Sequence, residues 1–517
     1  MSENGFWRLA AADPDRVVLV TPDDRQVAAG DLLGRVNQIS HGLRALGLQR
    51  GDSVAVVLPN GLPMMETYLA AMQIGLYFTP INHHLVGLEI AYILADSEAK
   101  ALVTDERFAE GATAAVDEID FPAERRFMAG TPAPGFRPFD ELAEGQPATA
   151  PDNRIAGQPM HYTSGTTGRP KGVKRGLNDI DPDDMGALFA MFLMLFGIES
   201  GGDNVHLTCS PLYHTAVLMW TSCSLHLGHQ VVLMDKWTPT GMLERIDRYG
   251  VTTTHMVPTQ FHRLLALPEA ERQRYDVSSL RQVVHGAAPC PPEIKRQMIE
   301  WWGDCVTEYY AATEGGGTIA PAEVWLERPG TVGRPWAGAE VRVLDEAGQD
   351  VPTGEVGTVY MALAQVNFEY KGDAAKTDQN RKDGFFTVGD VGLLDADGYL
   401  YLRDRKSDMI ISGGVNIYPA EIEGVLLTNP KVGDAAVFGV PNEDWGEEIK
   451  AVIEPAAGVE PSDDLAAELL EFCAGRLAGF KTPKTVDFII EMPRDPSGKL
   501  FKRRLRDPYW EGRQRAI

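Results

Sequence analysis

The run Tyr162-Thr163-Ser164-Gly165-Thr166-Thr167-Gly168-Arg169-Pro170-Lys171-Gly172-Val173 packs four small hydroxyl side chains, three glycines and one lysine into twelve positions. Backbone N–H groups left approachable by glycine, hydroxyl donors and a single ammonium together make a cradle for phosphate oxygens. The spacing is not that of the common GxxxxGK[ST] loop, because Pro170 stands where that pattern needs its second glycine and Gly172 follows the lysine. A flexible Ser/Thr/Gly linker would share the first half of the run; the Arg169-Pro170-Lys171-Gly172-Val173 tail sets it apart.

Six further motifs follow in order: Pro211-Leu212-Tyr213-His214, Gly286-Ala287-Ala288-Pro289, Tyr310-Ala311-Ala312-Thr313-Glu314, Thr387-Val388-Gly389-Asp390, Asp404-Arg405-Lys406-Ser407-Asp408 and Pro496-Ser497-Gly498-Lys499-Leu500. Singly, each has a bland explanation: Asp390 as a turn cap, Glu314 as a solvated carboxylate, Lys499 as part of a basic tail. Together, and in this order, they resemble the acyl-adenylate-forming superfamily, which contains acyl-CoA synthetases, aryl-CoA ligases, beetle luciferases and the adenylation domains of peptide synthetases.

The resemblance covers nearly the whole chain and implies an ATP-dependent acyl-CoA synthetase using ATP, Mg2+ and coenzyme A. It implies that Thr163, Ser164, Gly165, Thr166, Thr167, Gly168 and Lys171 cradle phosphates, and that Ala287, Ala288 and Pro289 lie against adenine, with Glu308 and Tyr310 in the same nucleotide set. Thr313 would contact the α-phosphate, Glu314 with Thr163 would hold magnesium, and Asp390 and Arg405 would reach the ribose. Lys499 matches the catalytic lysine. Tyr213, His214, Gly286 and Ala311 would border the acyl pocket. Gly414, in the stretch from Ser412 to Glu423, would pass the pantetheine arm, while Phe480 and Lys484 would meet the CoA nucleotide. Ser407 falls on the hinge position, where many relatives carry Asp or Lys.

The chemistry asks for these residue types without reference to a family. Attack of a carboxylate on the α-phosphate of ATP joins two anions, so cations must offset both before the atoms approach. Lys499 can bridge them, and the departing pyrophosphate can rest in the 163–171 loop. Thioester formation then needs the same carbon exposed to a thiol, which the resemblance explains by rotation of a small mobile domain.

The stretch Leu212 to Val217 has no acid to hold a substrate amino group, which disfavours a free amino acid. No carrier domain follows before Ile517, so coenzyme A or a separate carrier is expected to supply the thiol. Ala216 to Trp220, with Gly286, Ala287, Ala311 and Ala312, point to an apolar cavity. A medium- or long-chain fatty acid is the first expectation, an aryl or steroid-type carboxylate the next. A luciferase-like monooxygenase and a non-catalytic nucleotide-binding regulator are the readings from other classes.

At 517 residues the chain exceeds what one core usually supports, so several subdomains are expected. Apolar residues Leu32, Val36, Ile39, Leu43 and Leu46 recur at helical spacing, and Val54–Leu58, Leu76–Ile81 and Ala101–Thr104 read as strands alternating with helices near 64–74 and 88–94. That alternation predicts an α/β fold of parallel sheets with covering helices. The 111–152 segment reads as connecting surface. Short strands at 435–440, 449–453 and 486–490, with a helix over 465–477, predict a small C-terminal α/β domain. With the resemblance, the division becomes a large domain over 1–403, a hinge at 404–407 and a small mobile domain over 408–517.

The formal net charge of -25 repels nucleic-acid phosphates and anionic lipid surfaces. Lys499, Lys502, Arg503, Arg504 and Arg506 form one basic run, most simply a solvated face. The five cysteines include no CxxC pair, the N-terminus lacks a secretion-signal pattern, and no stretch has the length of a membrane span. These point to the cytoplasm, with a small-molecule acid, ATP and CoA as partners; homo-oligomerisation stays open.

Overall fold

The computed structural model describes residues 3–163, 170–201, 203–312, 315–363, 369–371, 380–494 and 499–512. The chain forms two compact units, one of Met1–His255, Ala270–Val283 and Gln365–Gln379, the other of Met256–Glu269, Val284–Ala364 and Asn380–Ile517.

In the first unit, strands Ser53–Val57, Tyr77–Pro80, Ala99–Asp105 and Arg126–Ala129 belong to an all-parallel sheet of six strands. Helix Ala29–Ala45 precedes them in sequence, and helices Leu62–Gln73 and Gly87–Asp96 lie between them. Ser53–Val57 is buried along its full length, as expected where helices cover both faces and each strand reads as a continuous apolar run. A second sheet runs Thr253–Met256, Val205–Thr208, Gln230–Leu233, Val17–Val20 in parallel, with Gln26–Ala28 antiparallel at its edge. One apolar cluster joins the helix faces to both sheets, including Leu32, Val36, Ile39, Leu43, Val54, Leu69, Leu218 and Val231.

The 111–152 segment is not plain connecting surface. It contains most of the helix Ala109–Glu118 and the strand Arg126–Ala129, and Phe127, Met128, Phe139 and Leu142 are buried. Its Ala, Pro and Gly content masked two short elements whose apolar periods are too brief to read alone.

In the second unit, strands Gly357–Leu363, Asp390–Leu394 and Leu400–Arg405 form the centre of an antiparallel sheet. The C-terminal segment builds its own sheet around the long hairpin Val432–Asn442/Gly446–Pro455, with Thr485–Phe488 parallel to the second strand. Helices Pro419–Leu426 and Asp463–Ala474 cover it through Ile422, Leu426, Leu465 and Leu469. No helix among the described residues is long and apolar enough to cross a membrane.

Buried imidazoles mark the first unit. His206 is 1% exposed, its Nδ1 lies 3.0 Å from Thr253 Oγ1, and burial, aided by His229 and His255, pushes its pKa down to about 3. The unfolded chain takes up that proton near 6.5, so between these values the unfolded state binds more protons and stability falls as pH falls. By linkage the loss at pH 5 approaches about 2 kcal/mol. His206→Gln is therefore expected to flatten the dependence of the urea-unfolding free energy on pH between 7 and 5 by about that amount; an unchanged dependence would show that this imidazole protonates within the fold.

Candidate functional site

Strands His161–Thr163 and Lys171–Lys174 pair antiparallel, with Lys171 directly opposite Thr163 and Val173 opposite His161. That register brings Lys171 beside Thr163, the strand end from which the 164–169 connection leaves. Ser164, Gly165, Thr166, Thr167 and Gly168 lie outside the described residues, and only the backbone of Thr163 is described. The base of the loop is pinned from below: Tyr162 Oη donates to Asp96 Oδ2 at 2.5 Å, and Tyr92 Oη donates to Pro170 O at 3.1 Å. A Cβ at Gly172 would lie 3.0 Å from the Tyr162 ring, which favours glycine at this close approach.

Tyr213 and His214 stand where the strand Val205–Thr208 has ended and the helix Thr215–His226 begins. Their turn is held by Asn60, buried after the central strand of the first sheet. Asn60 Oδ1 accepts from Leu212 N–H at 2.8 Å, while its amide donates to Ser210 O and Met234 O at 2.9 and 2.8 Å. Nothing in the sequence marked Asn60, since a single polar residue after a strand is commonplace. Rings surround the gate. His83 meets Tyr213 edge-on at 5.1 Å and stacks on Phe108 at 4.4 Å. One helical turn and more beyond, Trp220 stacks on His255 at 5.9 Å and meets Phe192 and Phe196 edge-on. Burial lowers the His83 pKa to about 4 and those of His161 and His255 to about 3, so these imidazoles are neutral near pH 7 and keep one donor and one acceptor each.

In the second unit the nucleotide candidates converge. Strands Val306–Ala311 and Gly317–Ala320 form a hairpin in which Ala311 faces Gly317; Thr313 and Glu314 belong to its connection and lie outside the described residues. Tyr310 Oη donates to Asp390 Oδ2 at 2.6 Å. Asp390 opens one strand and Arg405 closes its neighbour, and the register sets them opposite each other, with Arg405 Nε 3.5 Å from Asp390 Oδ1. Each carboxylate oxygen thus has one protein partner and a lone pair left for a ligand hydroxyl.

The strand Gln282–His285 delivers Gly286-Ala287-Ala288-Pro289 against the same hairpin. A Cβ at Gly286 would lie 2.7 Å from Tyr309 O, so the backbone approaches more closely than any side chain allows. Ala287 follows at φ 68. The other non-glycine residues described with positive φ are Asp24, Glu98, Asp120, Asn153 and Asp383, mostly residue types that tolerate this region in turns. An alanine held there is local strain, a condition that concentrates at functional sites.

Glu308, grouped by sequence with the nucleotide contacts, is buried beneath this loop. Its Oε2 takes an ion pair from Lys295 Nζ at 2.7 Å, and His285 Nε2 is 3.9 Å away. Burial raises the Glu308 pKa while the ammonium opposes the rise. Lys295 is fully buried, its ammonium 4.9 Å from the Trp325 ring centre. Glu308 thus supports the loop from within. Lys295 escaped notice because one lysine in the helix Pro292–Trp302 reads as surface.

On the C-terminal sheet, Gly413 and Gly414 form the turn between Ile410–Ser412 and Val415–Ile417, with φ 58 and 79, the two positive values that a tight hairpin of this kind requires. Gly413 packs under the exposed ring of Trp445, and Gly414 faces open space. Phe480 is 55% exposed and Lys484 exposed. Lys499 is half-buried next to the bridge between Arg494 and Leu500. Among the described residues no group of three His, Cys, Asp or Glu side chains is placed to hold a metal ion; both magnesium candidates, Glu314 and the Thr163 side chain, fall outside them.

The model of the AMP-binding enzyme family matches residues 6–370, and that of the AMP-binding enzyme C-terminal domain matches residues 421–499. The chain is 34% identical to a feruloyl-CoA synthase of Amycolatopsis sp over 481 residues, 92% of each protein. It is 32% identical to the long-chain-fatty-acid–CoA ligase FadD13 of Mycobacterium tuberculosis, covering 98% of this chain and 99% of that one. Among solved structures, o-succinylbenzoate CoA synthetase from Bacillus subtilis in complex with its acyl-adenylate intermediate superposes with a TM-score of 0.80 at 28% identity, over 97% of this chain and 98% of that one. Two family models spanning most of the chain and near-full-length relatives above 30% identity show the same thing: the chain belongs to the acyl-adenylate-forming, AMP-binding superfamily, as an AMP-forming acid–thiol ligase of the acyl- and aryl-CoA ligase family.

Proposed function

We propose that this ligase joins an aryl carboxylic acid to coenzyme A through an aryl-adenylate. The observation that supports the substrate class is the aromatic character of the region around Tyr213 and His214, where the rings of Tyr213, His83, Trp220 and His255 are gathered. A planar, ring-bearing acid gains from stacking on such rings; a flexible alkyl chain gains mainly from area. The feruloyl-CoA synthase relative agrees with this class. A medium- or long-chain fatty acid is the second reading, supported by Val217 and Leu218 on the same helix and by the mycobacterial relative.

In the first step a carboxylate oxygen attacks the α-phosphorus of ATP and pyrophosphate leaves. Glu314 and Thr163 would hold a magnesium ion accompanying ATP, which would offset phosphate charge. The 163–171 loop takes the β- and γ-phosphates, with Thr313 at the α-phosphate. Asp390, oriented by Tyr310 and Arg405, accepts from the ribose hydroxyls, and the strained Ala287 loop lies against adenine. Lys499 bridges carboxylate and α-phosphate, a contact that strengthens as charge shifts in the transition state. In the second step the CoA sulfur attacks the carbonyl carbon and AMP leaves. Gly414, with open space beside it, gives the pantetheine arm room, and Phe480 and Lys484 meet the CoA nucleotide. The division into 1–403, a hinge at 404–407 including Ser407, and 408–517 belongs to this proposal.

Pyrophosphate release with MgATP and a panel of cinnamate-type, benzoate and fatty acids, each with and without coenzyme A, tests it. Aryl acids are expected to turn over, and only with coenzyme A; preference for fatty acids would replace the substrate assignment. Lys499→Ala is expected to abolish acyl-AMP formation while thioester formation from supplied acyl-adenylate persists, and equal loss of both in a folded protein would contradict the role given to Lys499. Asp390→Asn removes a charge-assisted bond worth about 1.5–3 kcal/mol, so KM for ATP is expected to rise about ten- to hundredfold with the acid's KM little changed; an unchanged KM for ATP would remove Asp390 from the nucleotide site.

A further inference from the structure

The basic run at 499–506 is a solvated face only at Arg503 and Arg504, which are exposed. Its helix, Lys502–Arg506, turns two cations one turn apart toward the same side, and the side chains of Lys502 and Arg506 are only 10% and 8% exposed. Arg506 reaches the 404–408 segment directly, and Lys502 reaches it through the helix Pro419–Leu426. Lys502 Nζ pairs with Glu423 Oε1 at 2.8 Å, and the Asp404 carboxylate also favours its charge, so that Lys502 stays protonated despite burial. Asp404 is half-buried; its Oδ2 accepts from Ala420 N–H at 2.9 Å, at the start of the helix that carries Glu423. At the other end, Arg506 Nη1 donates to Ser407 O at 3.3 Å and lies 3.8 Å from Asp408 Oδ1.

The opposite flank of Lys499 is fastened too. Arg494 bridges to Leu500, and its guanidinium grips Asp434 at 2.5 and 2.8 Å. Leu500 and Leu505 pack on Phe438, Val440, Val452 and Met492. Two carboxylates, Asp404 and Glu423, would repel each other in a dry interior without the cation between them. Asp404 precedes Ser407 in the chain, whereas Lys502 follows Lys499 by three residues. Through the helix that carries Glu423, Lys502 thus links the segment beginning at Asp404 to the chain that follows Lys499.

We infer that Lys502 and Arg506 are positioning residues that clasp the 404–408 segment to the Lys499 loop, so that the setting of the hinge and the placement of the Lys499 ammonium are one event. This rests on the assignment of Lys499 as the adenylation lysine. In the full-length enzyme, Lys502→Met is expected to lower acyl-AMP formation by about tenfold or more while thioester formation from supplied acyl-adenylate changes less than about threefold, and Lys502→Arg is expected to restore most of the loss. The double variant Lys502→Met/Glu423→Gln, which leaves no unpaired charge on this pair, keeps the comparison usable if the single variant melts early. Equal loss in both half-reactions by a folded variant, or no loss in either, overturns the clasp. Lys499→Ala run in parallel separates the two ideas: retained adenylation there refutes the assignment of Lys499, whereas its loss alongside unaltered Lys502 variants refutes the clasp alone.

Discussion

A carboxylate and a triphosphate have to meet on a chain whose own formal charge is -25. Two unit charges 4 Å apart interact by roughly 4 kcal/mol at the dielectric typical near a protein surface, and the reacting pair carries more than one charge on the phosphate side. The field of the chain makes the encounter harder, so the few cations assigned to it must be placed individually. Lys171 is set by a strand register opposite Thr163, Arg405 by a register opposite Asp390, and Lys499 by a segment fastened on both flanks.

The same logic governs the interior. Lys295 with Glu308 and Lys502 with Glu423 are pairs whose members would each be costly to bury alone. Such pairs give little net stability against apolar substitutes, yet removing one partner strands the other. They fix direction rather than add strength. Lys295 and Glu308 lie under the strained Ala287 turn, and Lys502 reaches Glu423 on the helix whose first amides hold Asp404, so each of these pairs supports backbone to which the proposed chemistry gives a role.

Much of this was legible in the sequence where apolar spacing is long or a motif has an ordered set of companions. The helix read from Leu32 to Leu46 is Ala29–Ala45, the strands near Val54, Leu76 and Ala101 are present, and the C-terminal strands and helix appear within a few residues of their expected bounds. Tyr310, Asp390 and Arg405, distant in sequence, come together as their motifs implied. What escaped was set by tertiary partners. The 109–129 elements are short and Ala-rich, Asn60 acts through carbonyls more than a hundred residues away, and the burial of Lys295, Lys502 and Arg506 depends on carboxylates that no local pattern announces. The proposed substrate class was equally hidden, because the argument for it rests on rings gathered from five separate stretches.

The central claim is that a carboxylate oxygen of the substrate becomes bonded to the α-phosphorus of ATP and leaves with AMP. Turnover of an acid labelled with 18O in both carboxylate oxygens, followed by mass spectrometry of the nucleotide product, tests it most directly. One 18O atom in AMP and none in pyrophosphate is the predicted result; unlabelled AMP, or label in pyrophosphate or phosphate, would contradict the acyl-adenylate route.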